Sequence, residues 1–230
     1  MRMLMELMGC VCAAFVMVSP CLAQPSGEEI LRRVDAGLSE VQDYTVDLDV
    51  TADVERMNVP PMHVRMYYKK PDKFHFDSEG FALLPREGLA FSASKTLSRF
   101  SVEEVSEDTL MQASQYKLLL RPKDERVKVT KLLLYVDQKE WKPTRIVSSL
   151  FDGHMVTATF EYEKQGDYIM PSTLTVQFSG AASTDTSDQM LDPDTAPIQR
   201  PRMPRKGTVT IRYSHYEINT GLSDDIFNKK

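Results

Sequence analysis

Beyond position 21 the chain has no cysteine, since Cys10, Cys12 and Cys21 are the only three. A mature protein that begins after them has no disulfide framework, no thiolate metal site and no cysteine nucleophile. Long basic runs are missing as well, and the formal net charge is −5. Such a chain is poorly suited to coating nucleic acid or an anionic membrane, and no nucleic-acid partner is expected. The four histidines, His63, His75, His154 and His215, make no H-x-H or H-E-x-x-H spacing, so zinc is not indicated. No G-x-S-x-G elbow is present. Ser92-Ala93-Ser94-Lys95-Thr96 resembles a phosphate loop without the glycines that let backbone N–H groups cradle an anion. Glu103-Glu104 and Asp224-Asp225 read as helix-end or turn charges. These absences together predict a binding protein rather than an enzyme, with no catalytic residue, cofactor or metal.

What is present begins with an apolar stretch, Leu7 to Val18, preceded by Arg2 and followed by Ser19-Pro20-Cys21-Leu22-Ala23-Gln24. The stretch is shorter than the roughly 20 residues of a membrane-spanning helix. Small side chains at Cys21 and Ala23 fit a signal-peptidase site, which predicts a signal peptide over residues 1–23 and export of residues 24–230 as one domain. Val18-Ser19-Pro20-Cys21 has the outline of a lipobox, but Pro20 fits it badly, so lipid anchoring through Cys21 is the lesser alternative.

In the remainder, Ser26 and Glu29 have capping-box spacing, and Ile30, Val34, Leu38 and Val41 recur at helical intervals. From Tyr44 to Val54 apolar and polar residues alternate without a break, as in a strand with one buried face. Val64, Met66 and Tyr68 continue on a second strand, with His63, Arg65 and Lys69 on its outer face. Antiparallel pairing sets these bases against Asp47, Asp49 and Asp53, which explains the acidic ladder without a calcium site. Phe74 and Phe76 mark a third strand. Further strands are expected at 116–121, 127–136, 144–151, 155–162, 173–179 and 208–218, with Asp152-Gly153 as a hairpin turn. Within 83–113, Val102 to Met111 reads as helical. Residues 181–206, rich in Ser, Thr, Asp and Pro, read as a flexible excursion. The fold class expected is mainly β with α, a strongly curved antiparallel sheet whose concave face the helices cover.

The order of these pieces resembles the LolA-like family of periplasmic lipoprotein carriers and outer-membrane lipoprotein-sorting proteins. Tyr67-Tyr68-Lys69-Lys70-Pro71-Asp72-Lys73-Phe74 is similar to the family's strand end and Lys/Arg-Arg-Pro turn. Ser94-Lys95-Thr96-Leu97 resembles its G-K-T-L hairpin, with Ser94 in place of glycine and Ser98 in place of an aromatic. Tyr116 to Pro122, Leu132 to Asp137, and the close from Tyr216-Glu217-Ile218-Asn219 through Asp224-Asp225-Ile226-Phe227 follow the same pattern. The resemblance implies a half-open β-barrel with a helical lid, periplasmic location, a monomer, and a hydrophobic cavity for acyl chains of lipoproteins or other lipids, served by membrane-associated donor and acceptor proteins. Lys70 stands where the carriers have an arginine that helps govern lid closure and release. The lining expected from the apolar strand faces is Val46, Leu48, Val50, Val64, Met66, Tyr68, Phe74, Phe76, Phe160, Val176 and Phe178. The alternative reading is an envelope-stress sensor or protein-interaction module on the same fold.

Overall fold

The uninterrupted alternation after Tyr44 becomes strand β1 (Asp43–Val54), an interior strand of the sheet. It is flanked by β2 (Met62–Lys69) and β10 (Lys206–Ile218), both antiparallel to it. The computed structural model describes residues 24–37, 39–77, 92–110, 112–124, 128–180 and 206–228. The expected signal peptide and the 181–205 part of the excursion lie outside the described residues.

From the N-terminus, helix α1 (Gly27–Ala36) precedes β1 and β2, then β3 (Lys73–Asp77), helix α2 (Ala93–Arg99), β4 (Phe100–Leu110), β5 (Ala113–Pro122), β6 (Val129–Asp137), β7 (Pro143–Leu150), β8 (Met155–Gln165), β9 (Tyr168–Ser179) and β10. A 3-10 turn, Asp224–Asn228, follows. The strands form one ten-stranded antiparallel sheet in the order β3-β2-β1-β10-β9-β8-β7-β6-β5-β4. Because β3 and β4 are its two edges and do not pair, the sheet curves without closing. Asp152-Gly153 turns β7 into β8 as expected, with Gly153 at φ 80°, a conformation that costs glycine nothing.

Ser26 caps α1 by accepting a hydrogen bond from the Glu29 amide at 3.2 Å. The Glu29 carboxylate does not reach back to complete the box, because the Arg32 and Arg33 guanidinium groups hold it. The helix ends at Gly37, so Val41 does not belong to it and instead joins the apolar cluster under the sheet.

Two expectations need correction. Val102 to Met111 is not helical, since residues 100–110 form edge strand β4. A bulge between Val102 and Glu104 inserts one extra residue against β5. Val102 and Val105 therefore both face inward, and a three-residue spacing that mimics a helix results from a strand irregularity. Conversely, Ser94-Lys95-Thr96-Leu97 is no hairpin. It lies within α2, which Ser92 caps by accepting from the Lys95 amide at 3.3 Å.

On the convex side, the acidic face of β1 meets the basic face of β2 as expected, with Asp49 opposite His63 and Asp47 opposite Arg65. His63 Nδ1 lies 2.8 Å from Asp49 Oδ1. Near the start of β1 this face is covered by the C-terminal segment. There the Asp43 carboxylate accepts from the amides of Thr220, Gly221 and Leu222, and Asp224 pairs with Lys69 and Lys73.

Candidate binding site

Inward-facing side chains cover the concave face in two apolar clusters. One is built on β1, β2, β8, β9 and β10, and holds Val46, Leu48, Val50, Val64, Met66 and Phe160 among its buried members. Tyr68, Phe74, Phe76 and Val176 pack against it half-buried. Ten of the eleven expected lining residues thus meet in a single cluster. The exception, Phe178, lies farther along the same face of β9, paired with Gly207. A Cβ at Gly207 would come within 2.4 Å of the Phe178 ring, so glycine is what lets that ring lie across β10.

The second cluster belongs to the other half of the sheet, where Leu118, Leu120, Leu134, Val136 and Phe100 receive Ile30, Leu31 and Val34 of α1 and Ala93 of α2. Ile146 on β7 packs against both clusters and joins them.

Several residues of the first cluster escape a reading by period. Tyr213 and Tyr216 both face inward, three residues apart, because β10 carries one residue more than β1 between Ser214 and Glu217. His215 takes up the extra length at φ 53° and points outward, its Nδ1 3.2 Å from Asp47 Oδ2. The two tyrosine rings lie nearly parallel, with centroids 6.5 Å apart. Tyr44 lies between Tyr68, at 4.9 Å, and Tyr216, at 5.7 Å. Leu174 and Ile211, on the same faces as Val176 and Val50, complete the floor; their parity in the sequence pattern was the available signal.

This end of the concave face is accordingly a bed of phenols. The Tyr162 hydroxyl donates to the Pro143 carbonyl and the Tyr216 hydroxyl to the Pro171 carbonyl, each at 2.7 Å. Burial pushes the pKa of Tyr44, Tyr162, Tyr213 and Tyr216 far above the ordinary phenol value, because a phenolate in apolar surroundings loses its hydration.

A few polar contacts fasten the helices across the sheet. Lys142, buried just before β7, donates from Nζ to the Gly37 carbonyl at 3.2 Å, and burial lowers its pKa. Lys70, at the end of β2, donates from Nζ to the Ser39 carbonyl at 2.6 Å. Both cations thus sit beyond the C-terminal end of α1, where the helix dipole favours positive charge. Arg33 stacks over the Trp141 ring at 4.5 Å. The Asp35 carboxylate accepts from the Ala93 amide at 3.0 Å and links the helices. Lys95 of α2, the helix that leads into edge strand β4, approaches Asp72, in the β2–β3 turn near the other edge, at 3.5 Å. Lys70 thus contacts the segment just after α1, whereas Lys142 had no signal in the sequence.

An open ten-stranded sheet with a helix pair fastened inside its curve has counterparts among solved structures. A domain from Vibrio parahaemolyticus named for outer-membrane lipoprotein sorting superposes with a TM-score of 0.66 at 14% identity, over 88% of this chain and 96% of that one. The chain has the LolA-like fold. A LolA superfamily protein from Nitrosomonas europaea matches at a TM-score of 0.55 and 12% identity, over 90% of this chain and 99% of its own. A DUF1329 family protein from Desulfovibrio piger matches at 0.61 and 14%, over 87% and 95%. No protein-family model and no curated protein matches the sequence. At these identities the likeness establishes the LolA-like fold and leaves the cargo to be argued from the chain's own residues.

Proposed function

We propose that the protein is a periplasmic carrier which holds acyl chains of lipoproteins or other lipids on its concave face, beneath α1 and α2. The observation that supports this most is a contrast in attachment. Continuous backbone ladders tie the strands together, whereas the end of α1 and the segment after it are held by side-chain contacts, Lys142 to the Gly37 carbonyl and Lys70 to the Ser39 carbonyl. Tilting the helices would uncover the second cluster, which adjoins the proposed lining at Ile146, without breaking a strand pair. Sheltering about eight methylenes there is worth about 6 kcal/mol, at about 0.8 kcal/mol each, so a modest opening suffices. The eleven residues named from the sequence, with Tyr44, Tyr213 and Tyr216 added, form the proposed lining. Lys70 and Lys142 are the proposed latch. The work is binding and release by a monomer, with membrane-associated donor and acceptor proteins as the partners implied.

The test is native mass spectrometry on protein expressed with its own leader and recovered gently from a bacterial periplasm. A species beginning at Gln24 and carrying the mass of an acyl lipid is expected. The increment should disappear in a Phe74→Asp variant, which changes a half-buried margin of the floor and leaves the fully buried centre alone. An apo mass, together with no uptake of a synthetic triacylated lipopeptide, would falsify the carrier reading.

A further inference from the structure

The exposed large hydrophobic side chains among the described residues are Met57, Phe151 and Met155, at 51%, 67% and 45% exposure. Met57 is far in sequence from the other two, yet all three share one end of the sheet. Met57 lies in the β1–β2 turn, where the Glu55 amide donates to the Lys206 carbonyl at the start of β10. Lys206 pairs with Ser179 of β9, Ser179 pairs with Met155 of β8, and Phe151 is the first residue beyond β7 in the same hairpin as Met155. The Phe151 amide in turn donates to the carbonyl of Lys128, just before β6. The C-terminal end of α1, with Lys70 and Lys142, lies at the other end of the strands.

Charge at this rim differs from the chain's net −5. Arg56, Lys123, Lys128 and Lys206 are exposed there. Its acidic groups are Glu55, which takes up Arg56 at 3.7 Å, Asp152, which accepts from the His154 amide at 3.1 Å, and Asp124, which has an interaction of its own. Lys123 donates to the Leu97 carbonyl. Lys128 and Lys206 face no carboxylate among the described residues. Asp53, exposed one step back on the convex face, is the nearest counter-charge on β1.

Two separate turns that present exposed apolar side chains, with cations beside them, fit a lipid surface better than a protein groove. The apolar tips enter the acyl boundary while Lys and Arg remain at the anionic headgroups. We propose that this rim, formed by the β1–β2 and β7–β8 turns with Lys128 and Lys206, docks the protein reversibly on an anionic bilayer. Whole-chain charge opposes such contact at long range, but screening limits that repulsion to about 10 Å, and the rim meets the surface first. The docking does not depend on whether an acyl chain is bound.

Co-sedimentation of the protein with vesicles of phosphatidylethanolamine containing about one third phosphatidylglycerol tests it. Binding should be detectable, should weaken with salt, and should be weaker on phosphatidylcholine. The double variant Phe151→Asp, Met155→Asp should reduce it about tenfold, since apolar burial is lost and like charge added. Lys128→Glu with Lys206→Glu should abolish the preference for anionic lipid, while Lys164→Glu at the opposite end leaves binding unchanged. Circular dichroism and melting temperature verify that each variant is folded. No sedimentation of the wild-type protein, or equal binding by wild type and both rim variants, overturns the proposal. So does a dimer in analytical ultracentrifugation that Phe151→Asp dissolves, which would make the rim a contact between copies. Acyl uptake read by mass spectrometry on the same samples separates this outcome from failure of the carrier reading.

Discussion

Lys142 Nζ reaches the carbonyl of Gly37, 105 residues earlier, and donates to it at 3.2 Å. One buried ammonium thereby satisfies a carbonyl at the end of α1, where the last turn leaves acceptors without partners. Its burial lowers the ammonium pKa, so holding the charge costs energy that the hydrogen bond and helix dipole offset. Opposing terms of this kind leave little net stability and much local order.

Lys142→Met should therefore change global stability by no more than about 1 kcal/mol. Amides in the last turn of α1 should exchange about tenfold faster, the signature of a local opening. Lys70→Met should act on Ser39 in the same direction. Native-state hydrogen exchange read by mass spectrometry measures both, and unchanged α1 protection in both variants would show that neither lysine is a latch.

Asp43→Ala should cost about 3 kcal/mol, because the carboxylate of Asp43, a residue only 4% exposed, and three backbone donors lose one another at once. The denaturation midpoint reports the loss. Limited proteolysis should also cut within residues 219–228, released from the convex face.

Gly207→Ala should destabilise by about 1–2 kcal/mol, since its Cβ would lie 2.4 Å from Phe178 Cζ and 3.2 Å from the Asp53 carbonyl. In the background of Phe178→Leu the penalty should largely disappear. A double-mutant cycle from thermal melts provides the number, and independence of the two changes would refute the contact.

Alkaline titration should be cooperative. For Tyr44, Tyr162, Tyr213 and Tyr216 the folded pKa lies above the unfolded value of 10. The folded state then holds more protons above pH 10, so stability is fully present below that pH and falls as pH rises beyond it. Phenolate absorbance from these residues, among nine tyrosines in all, should appear together with loss of the β-sheet circular dichroism signal. Ionisation of all nine well before unfolding would contradict their burial.

Much of the architecture was legible because strand alternation and turn residues are local properties. Val46, Leu48 and Val50 alternate with aspartates, and that alone places them on the buried face of β1. The Asp49–His63 pairing follows once the turn before Met62 sets the register. Ser26 announces the start of α1, and Asp152-Gly153 announces a hairpin.

Other features were not legible, for equally physical reasons. Bulges insert one residue and shift the period, so Val102 and Val105 imitated a helix and Tyr216 was hidden from the concave face it joins. A bulge costs little locally and is selected by the curvature of the whole sheet. Lys142 carries no local mark, because its partner is the end of a distant helix. The clustering of Met57, Phe151 and Met155 at one rim is likewise set by strand order. Sequence alone determined which faces are apolar and where strands begin. Only tertiary structure decided which apolar faces meet, what fastens the helices over them, and which hydrophobic side chains remain in water, since these depend on contacts between residues far apart in the chain.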